Sequence, residues 1–231
     1  DSRVHVPPPT HRLSYRPEVD GLRAVAVLPV MLFHAGFAAF SGGFVGVEVF
    51  FVISGYLITS TILVEQEKRT FTLARFYGRR ARRILPALFL VIGACLPAAW
   101  LLLPQRDWQD FSRSVAAVAV FASNILFWRE SNYFDTAAEL KPLLHTWSLA
   151  VEEQYYVVYP LFLAAAWPLG VRPSGIMPAA AALLSLPAAQ FGGSGPSAAF
   201  YLLPTRAWEL AIGAFVALIT SRRTPSRSSW S

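Results

Sequence analysis

Long apolar runs joined by short polar links limit what this chain can become more than any other feature. Read over about twenty residues, the length a helix needs to cross hydrocarbon, the runs fall at 19–37, 43–64, 84–103, 112–128, 146–167, 176–191 and 204–220. A lipid-facing backbone has no water to bond to, so such runs must close their hydrogen bonds internally, as helices. The expected fold is therefore all-α, a polytopic transmembrane helical bundle with seven candidate helices. The sixth, IMPAAAALLSLPAAQF, is the weakest, being short and carrying two prolines.

Composition agrees with that reading. Of 231 residues, 55% are hydrophobic and 15% charged, a balance that excludes an ordinary soluble globular domain. The net charge of +6 could suggest a nucleic-acid partner. The basic residues, however, cluster between apolar runs rather than on one surface, which is the positive-inside pattern; no nucleic acid is expected, and the partner is the lipid bilayer. The densest basic link, EQEKRTFTLARFYGRRARR at 65–83, is placed in the cytoplasm. The N-terminus is then cytoplasmic, the first two helices form an out-and-back hairpin, and the third leaves after Ile84. By alternation, LPQRDWQDF lies outside and RESNYFDTAAELKPLLH returns inside. Residues 1–18 are expected to form a polar, proline-rich cytoplasmic tail without the apolar core of a signal peptide. Residues 19–220 form the membrane domain, and 221–231 a disordered polar tail. Cys95, the one cysteine, excludes an intrachain disulfide, and no metal site is expected.

Against this apolar background the ionisable residues stand out. In VDGLRAVAVLPVMLFHAGF, Arg23 and His34 are eleven positions apart. On a helix that is three turns plus roughly 20°, so they share a face about 16 Å apart along the axis. An ionisable group in hydrocarbon is unfavourable by about 3 kcal/mol and usually faces protein or a water-filled cavity. The pair suits a path through the membrane, with an imidazole beyond a guanidinium.

Other groups follow the same logic. The run Arg79, Arg80, Ala81, Arg82, Arg83 opens the expected third helix. It serves either as a topology anchor or as a cradle for a diphosphate-bearing carrier, since guanidinium groups fork onto phosphate oxygens. In HTWSLAVEEQYYVVYP, Glu152 and Glu153 have no basic neighbour in sequence, and His145, Ser148, Glu152 and Tyr155 or Tyr156 form a polar stripe at helical spacing. The stripe either bonds to neighbouring helices or supplies a general acid/base site. Arg206 and Glu209, three apart in PTRAWELAIGA, are expected to neutralise each other, and Gly213 to allow a close helix approach. The glycines around Glu48, Ser54 and Gly55 in the second run read as packing residues.

Taken in order, YRPEVDGLRAVAVLPVMLFHA, GGFVGVEVFFVISGYLIT, RFYGRRARRILPAL, FDTAAELKPLLHTWSLAVEEQYYVVYPL and FYLLPTRAWELAIGA resemble the membrane domain of acyltransferase family 3, from about Tyr15 to about Leu218. The likeness is closest to the branch in which that domain is followed by an extracytoplasmic SGNH hydrolase-like domain. It implies an enzyme of the bacterial inner membrane, an O-acetyltransferase. The acyl group, usually acetyl, moves from cytoplasmic acyl-CoA, a donor substrate rather than a tightly bound cofactor, to a hydroxyl of an envelope glycan such as O-antigen, peptidoglycan or exopolysaccharide. By the same resemblance His34 is the catalytic residue of an Arg-x10-His signature with Arg23, and Arg79, Arg80, Arg82 and Arg83 bind the donor. Ser148, Glu152 and Glu153 match an SLxxEE-type segment, with Glu152 and Glu153 as catalytic candidates. Ser148, Arg206 and Glu209 are candidates for substrate contact. Glu48 stands where the family has Asp.

The family has roughly ten membrane helices, against about seven here, so the resemblance also implies a C-terminally truncated member whose SGNH partner is separate or missing. Two other functions fit the residues: a transporter using the same charges as its substrate path, and a non-catalytic remnant.

Overall fold

The structure, a computed structural model, describes residues 17–131, 141–166, 176–191 and 195–223. Among these the chain forms nine α-helices and no strand: α1 (Pro17–His34), α2 (Gly46–Glu67), α3 (Leu73–Leu102), α4 (Trp108–Ala119), α5 (Ser123–Ser131), α6 (Thr146–Ala166), α7 (Ile176–Phe191), α8 (Gly195–Tyr201) and α9 (Leu203–Arg223). The chain divides into two compact units, 1–50 and 51–231, and the boundary falls inside α2. The all-helical expectation is met.

Among the described residues, three stretches are long and apolar enough to cross a membrane: Gly43–Glu67, Leu73–Leu102 and Gly195–Ser221. The segment Pro178–Phe191 is a shorter apolar helix, matching the weak sixth run. Neither α1 nor α6 is among the three. The groups that lower their hydropathy are the ones of chemical interest: Glu18, Asp20 and Arg23 in α1, Glu152, Glu153 and Gln154 in α6.

In the first unit, α1 is followed by two 3-10 turns, Ala38–Phe40 and Gly43–Val45, before α2 begins. The turn packs back on α1 by backbone contact. A Cβ on Gly43 would lie 2.1 Å from the Pro29 carbonyl oxygen, and one on Gly46 2.1 Å from that of Ala26. Only glycine lets two backbones meet this closely.

In the second unit, α2 and α9 are held by a reciprocal glycine contact. A Cβ on Gly55 would fall 1.9 Å from the Leu210 carbonyl oxygen, and one on Gly213 1.9 Å from that of Val52. The close approach expected of Gly213 is therefore real, and Gly55 answers it from the facing helix. Thr59, one turn beyond Gly55, donates its hydroxyl to the Gly55 carbonyl at 2.8 Å, and its oxygen lies 3.2 Å from the Tyr159 hydroxyl of α6. Leu88, Ile92 and Ala99 of α3 bury a cluster with Phe111 and Val118 of α4 and Leu143. Ser185 of α7 accepts the Trp208 backbone N–H of α9 at 3.0 Å.

Four expected boundaries are corrected. The first helix stops at His34, three residues short of Phe37. Gly36 has φ +81°, its N–H bonds to Phe33 O, and Phe37 N–H reaches back to Leu32 O at 3.1 Å; this pair of bonds is a Schellman stop with glycine in the left-handed position. The run expected at 112–128 is two helices, α4 and α5, separated by another such stop: Phe121 has φ +53°, with Phe121 N–H to Val118 O and Ala122 N–H to Ala117 O. The third helix begins at Leu73, capped by the Thr72 hydroxyl on Arg75 N–H at 3.3 Å. The arginine run therefore lies inside α3 rather than opening it, and the 65–83 link shrinks to a short turn after Glu67. Finally, α9 continues to Arg223, into the stretch expected to be a disordered tail. The rest of that tail, the N-terminal tail through Arg16, and most of the loop RESNYFDTAAELKPLLH lie outside the described residues.

Candidate functional site

Two groups of ionisable side chains stand out against the apolar helices, one in each unit. In the first unit, His34 is the last residue of α1 and is exposed. Its Nδ1 lies 2.8 Å from the Val30 carbonyl oxygen, one turn back. A carbonyl can only accept, so Nδ1 carries a proton, and the lone pair of the neutral ring sits on Nε2. The Phe33 ring stands edge-on to the imidazole at 5.2 Å, and Phe44 edge-on to Phe33 at 5.9 Å. Arg23 is half-buried on the same helix, its guanidinium 4.8 Å from the centre of the Phe50 ring. One helix thus carries both members of the pair, and each has a fixed orientation. The position of His34 differs from expectation: it is at the helix end rather than within a longer span.

In the second unit, α3 and α6 assemble a buried charged group. Glu153 pairs with Arg80 at 2.8 Å. The Arg80 guanidinium also lies over the Tyr156 ring, 3.5 Å from its centre, well inside cation–π range. The Tyr156 hydroxyl in turn donates to Glu152 at 2.5 Å. Glu152 is only 4% exposed. Adjacent carboxylates diverge by about 100° around a helix; here both still enter one connected group, because Arg80 takes Glu153 directly and Glu152 by way of Tyr156. The sequence shows the Glu152–Tyr156 spacing of four. It gives no sign of Arg80, 73 residues from Glu153.

The remaining candidates separate into paired and open side chains. Arg79 pairs with Glu65 at 2.7 Å, closing the α2–α3 hairpin. Arg82 and Arg83 are exposed, Arg82 donating its Nε–H to the Gly78 carbonyl at 3.1 Å. Arg206 and Glu209 pair at 2.7 Å, as their spacing predicts, with Glu209 completely buried. The Arg206 guanidinium faces Phe200 at 5.2 Å and Trp147 at 5.8 Å, aromatic partners the sequence reading did not anticipate. Ser148 is half-buried and donates to the His145 carbonyl at 3.3 Å, while His145 itself is exposed and precedes α6. Of the expected stripe, Glu152 and Tyr156 are in direct contact.

Behind the carboxylates lies a second polar group that sequence reasoning missed. Asn124 and Gln154 exchange amide hydrogen bonds, at 2.8 and 3.3 Å. Asn124 also donates to the Tyr201 carbonyl, and Gln154 to the Phe121 carbonyl at 2.9 Å. The latter is the backbone left over where α4 stops. Side-chain amides here satisfy a helix break inside an apolar bundle.

With this geometry in hand, the comparisons with known proteins decide the family. The family model described as "Acyltransferase domain", that of acyltransferase family 3, matches residues 16–231. The chain belongs to acyltransferase family 3. Among curated members it is 37% identical over 94% of its length to "Putative peptidoglycan O-acetyltransferase YrhL" of Bacillus subtilis, covering 36% of that protein. It is 34% identical over 89% of its length to "Peptidoglycan O-acetyltransferase OatA" of Listeria monocytogenes, covering 34% of it. The chain therefore spans about a third of the length of these family members. No solved structure matches it.

Proposed function

We propose that this chain is the acyl-moving membrane part of an O-acetyltransferase, carrying acetyl from cytoplasmic acyl-CoA to a hydroxyl of peptidoglycan. The observation that carries the reading is the His34 ring, whose Nδ1 proton is pinned on the Val30 carbonyl and whose Nε2 is therefore the basic atom. Peptidoglycan is favoured over O-antigen or exopolysaccharide because the two relatives just described are named for it. The membrane is the bacterial plasma membrane, and the basic residues from Lys68 to Arg83 favour a cytoplasmic α2–α3 turn and N-terminus.

In this mechanism Nε2 of His34 takes the proton of the acceptor hydroxyl as its oxygen attacks the thioester carbonyl. The tetrahedral intermediate collapses by breaking the C–S bond, and the imidazolium returns its proton to the departing CoA thiolate. Arg23, three turns back on the same face of α1, adds positive charge along the path of the donor rather than at the reacting carbonyl. The donor phosphates are held by Arg82 and Arg83, the open members of the arginine run; Arg79 is already engaged with Glu65. In the second unit Glu152, Glu153 and Ser148 are the candidate groups of α6, and the Arg206–Glu209 pair braces α9.

The test uses membranes from cells expressing this chain, supplied with radiolabelled acetyl-CoA and peptidoglycan. Release of CoA thiol and labelling of the glycan is the expected result, both lost in His34→Ala. A chain that moves label while leaving the thioester intact is a transporter and overturns the reading. So does one that leaves acetyl-CoA untouched.

A further inference from the structure

We infer that Arg80 is a positioning residue and not a donor ligand: it fixes the α6 carboxylates, and the arginine run is thereby divided between two tasks. The inference rests on the acyl-transfer reading for what the positioned carboxylates serve.

The division follows from where the helix turns each side chain. Arg79 and Arg80 meet carboxylates, Glu65 at 2.7 Å and Glu153 at 2.8 Å, whereas Arg82 and Arg83 are exposed. Arg80 is held twice over. One edge of its guanidinium bonds Glu153, a side chain only 13% exposed, and its face lies 3.5 Å from the centre of the Tyr156 ring. A phosphate reaching this guanidinium would compete with a mostly buried carboxylate for the same charge, and loss of that pairing is strongly unfavourable. No such competition arises at Arg82 or Arg83.

What Arg80 does control is Glu152. The guanidinium lies on the face of the Tyr156 ring, and the ring's hydroxyl holds Glu152 at 2.5 Å. The chain Arg80, Tyr156, Glu152 thus carries a constraint from the basic end of α3 to a buried carboxylate on α6. Lysine cannot replace it, since an ammonium lacks the planar face that lies on the ring while its edge binds the carboxylate.

Kinetics of thioester consumption by the full chain in membranes, normalised to folded protein, separate the two roles. Arg80→Gln, Arg80→Lys and Tyr156→Leu are each expected to lower kcat about tenfold with KM for acetyl-CoA within about twofold, whereas Arg82→Gln/Arg83→Gln raises KM about tenfold. A rise in KM for Arg80→Gln matching that of the outer pair overturns the inference. So does full turnover in Arg80→Lys. Independently of activity, the melting temperatures of Arg80→Gln, Tyr156→Leu and the double variant in detergent are expected to be strongly non-additive; additive losses overturn the tie. A parent chain that consumes no thioester overturns the acyl-transfer reading instead, and the melting cycle then decides by itself whether Arg80 ties α3 to α6.

Discussion

His34 and Glu152 are both ionisable groups on largely apolar helices, and their surroundings are opposite. The imidazole is exposed at a helix end and bonds one backbone carbonyl through one nitrogen. The carboxylate is buried in mid-helix, held by a tyrosine that an arginine covers in turn. A group held by one atom keeps another for reaction; a group enclosed by partners serves to hold its neighbours in place. The contrast predicts that changes at the exposed histidine are felt in turnover alone, and changes at the buried carboxylates in stability as well as turnover.

The sharpest test of that contrast is His34→Ala. It should reduce thioester consumption about a thousandfold, the usual range for loss of a general base, while the melting temperature stays at that of the parent. A stability loss with activity intact would reverse the roles assigned here. At the buried extreme, Glu209→Leu strands the Arg206 charge and should destabilise the fold by about 3–5 kcal/mol, whereas Arg206→Leu/Glu209→Leu recovers most of the loss. Equilibrium unfolding of the three variants measures this. Gly55→Val introduces a side chain where a Cβ already meets the Leu210 carbonyl and should lower stability by about 3 kcal/mol through overpacking. The smallest effects concern helix ends. Gly36→Ala strains the stop beside His34 and should lose about 1 kcal/mol, while Arg69→Gly should gain about 1 kcal/mol, because Arg69 occupies the left-handed region at φ +52°. Paired melting curves of these two variants should therefore move in opposite directions.

The helix ends also show what the sequence could reveal. The stop after α1 is readable, since Gly36 is the residue a left-handed position prefers. The stops after α2 and α4 use the same hydrogen-bond pattern with Arg69 and Phe121 in the left-handed position. Neither residue type signals a break, so 112–128 reads as one helix and the structure makes two. The start of α3 was readable from Thr72, a preferred N-cap, but the basic run after it reads as a polar link. Local spacing likewise fixed the Arg206–Glu209 pair, three apart on one helix. The Arg80–Glu153 pair had no such signature: its partners come together only through the packing of α3 on α6, and a single sequence carries no record of that.

Arg79 and Arg80 are neighbours on one helix, and their partners become available at different moments of synthesis. Glu65 has already been made when Arg79 leaves the ribosome, so the α2–α3 hairpin can be neutralised as soon as it exists. Arg80 must wait for Glu153, 73 residues later. Until then it stays an unmatched positive charge at the basic end of a membrane-length helix, and that is the interval in which charge decides which side of the bilayer a segment remains on. One arginine is thus an unpaired charge early in synthesis and a paired one once α6 exists.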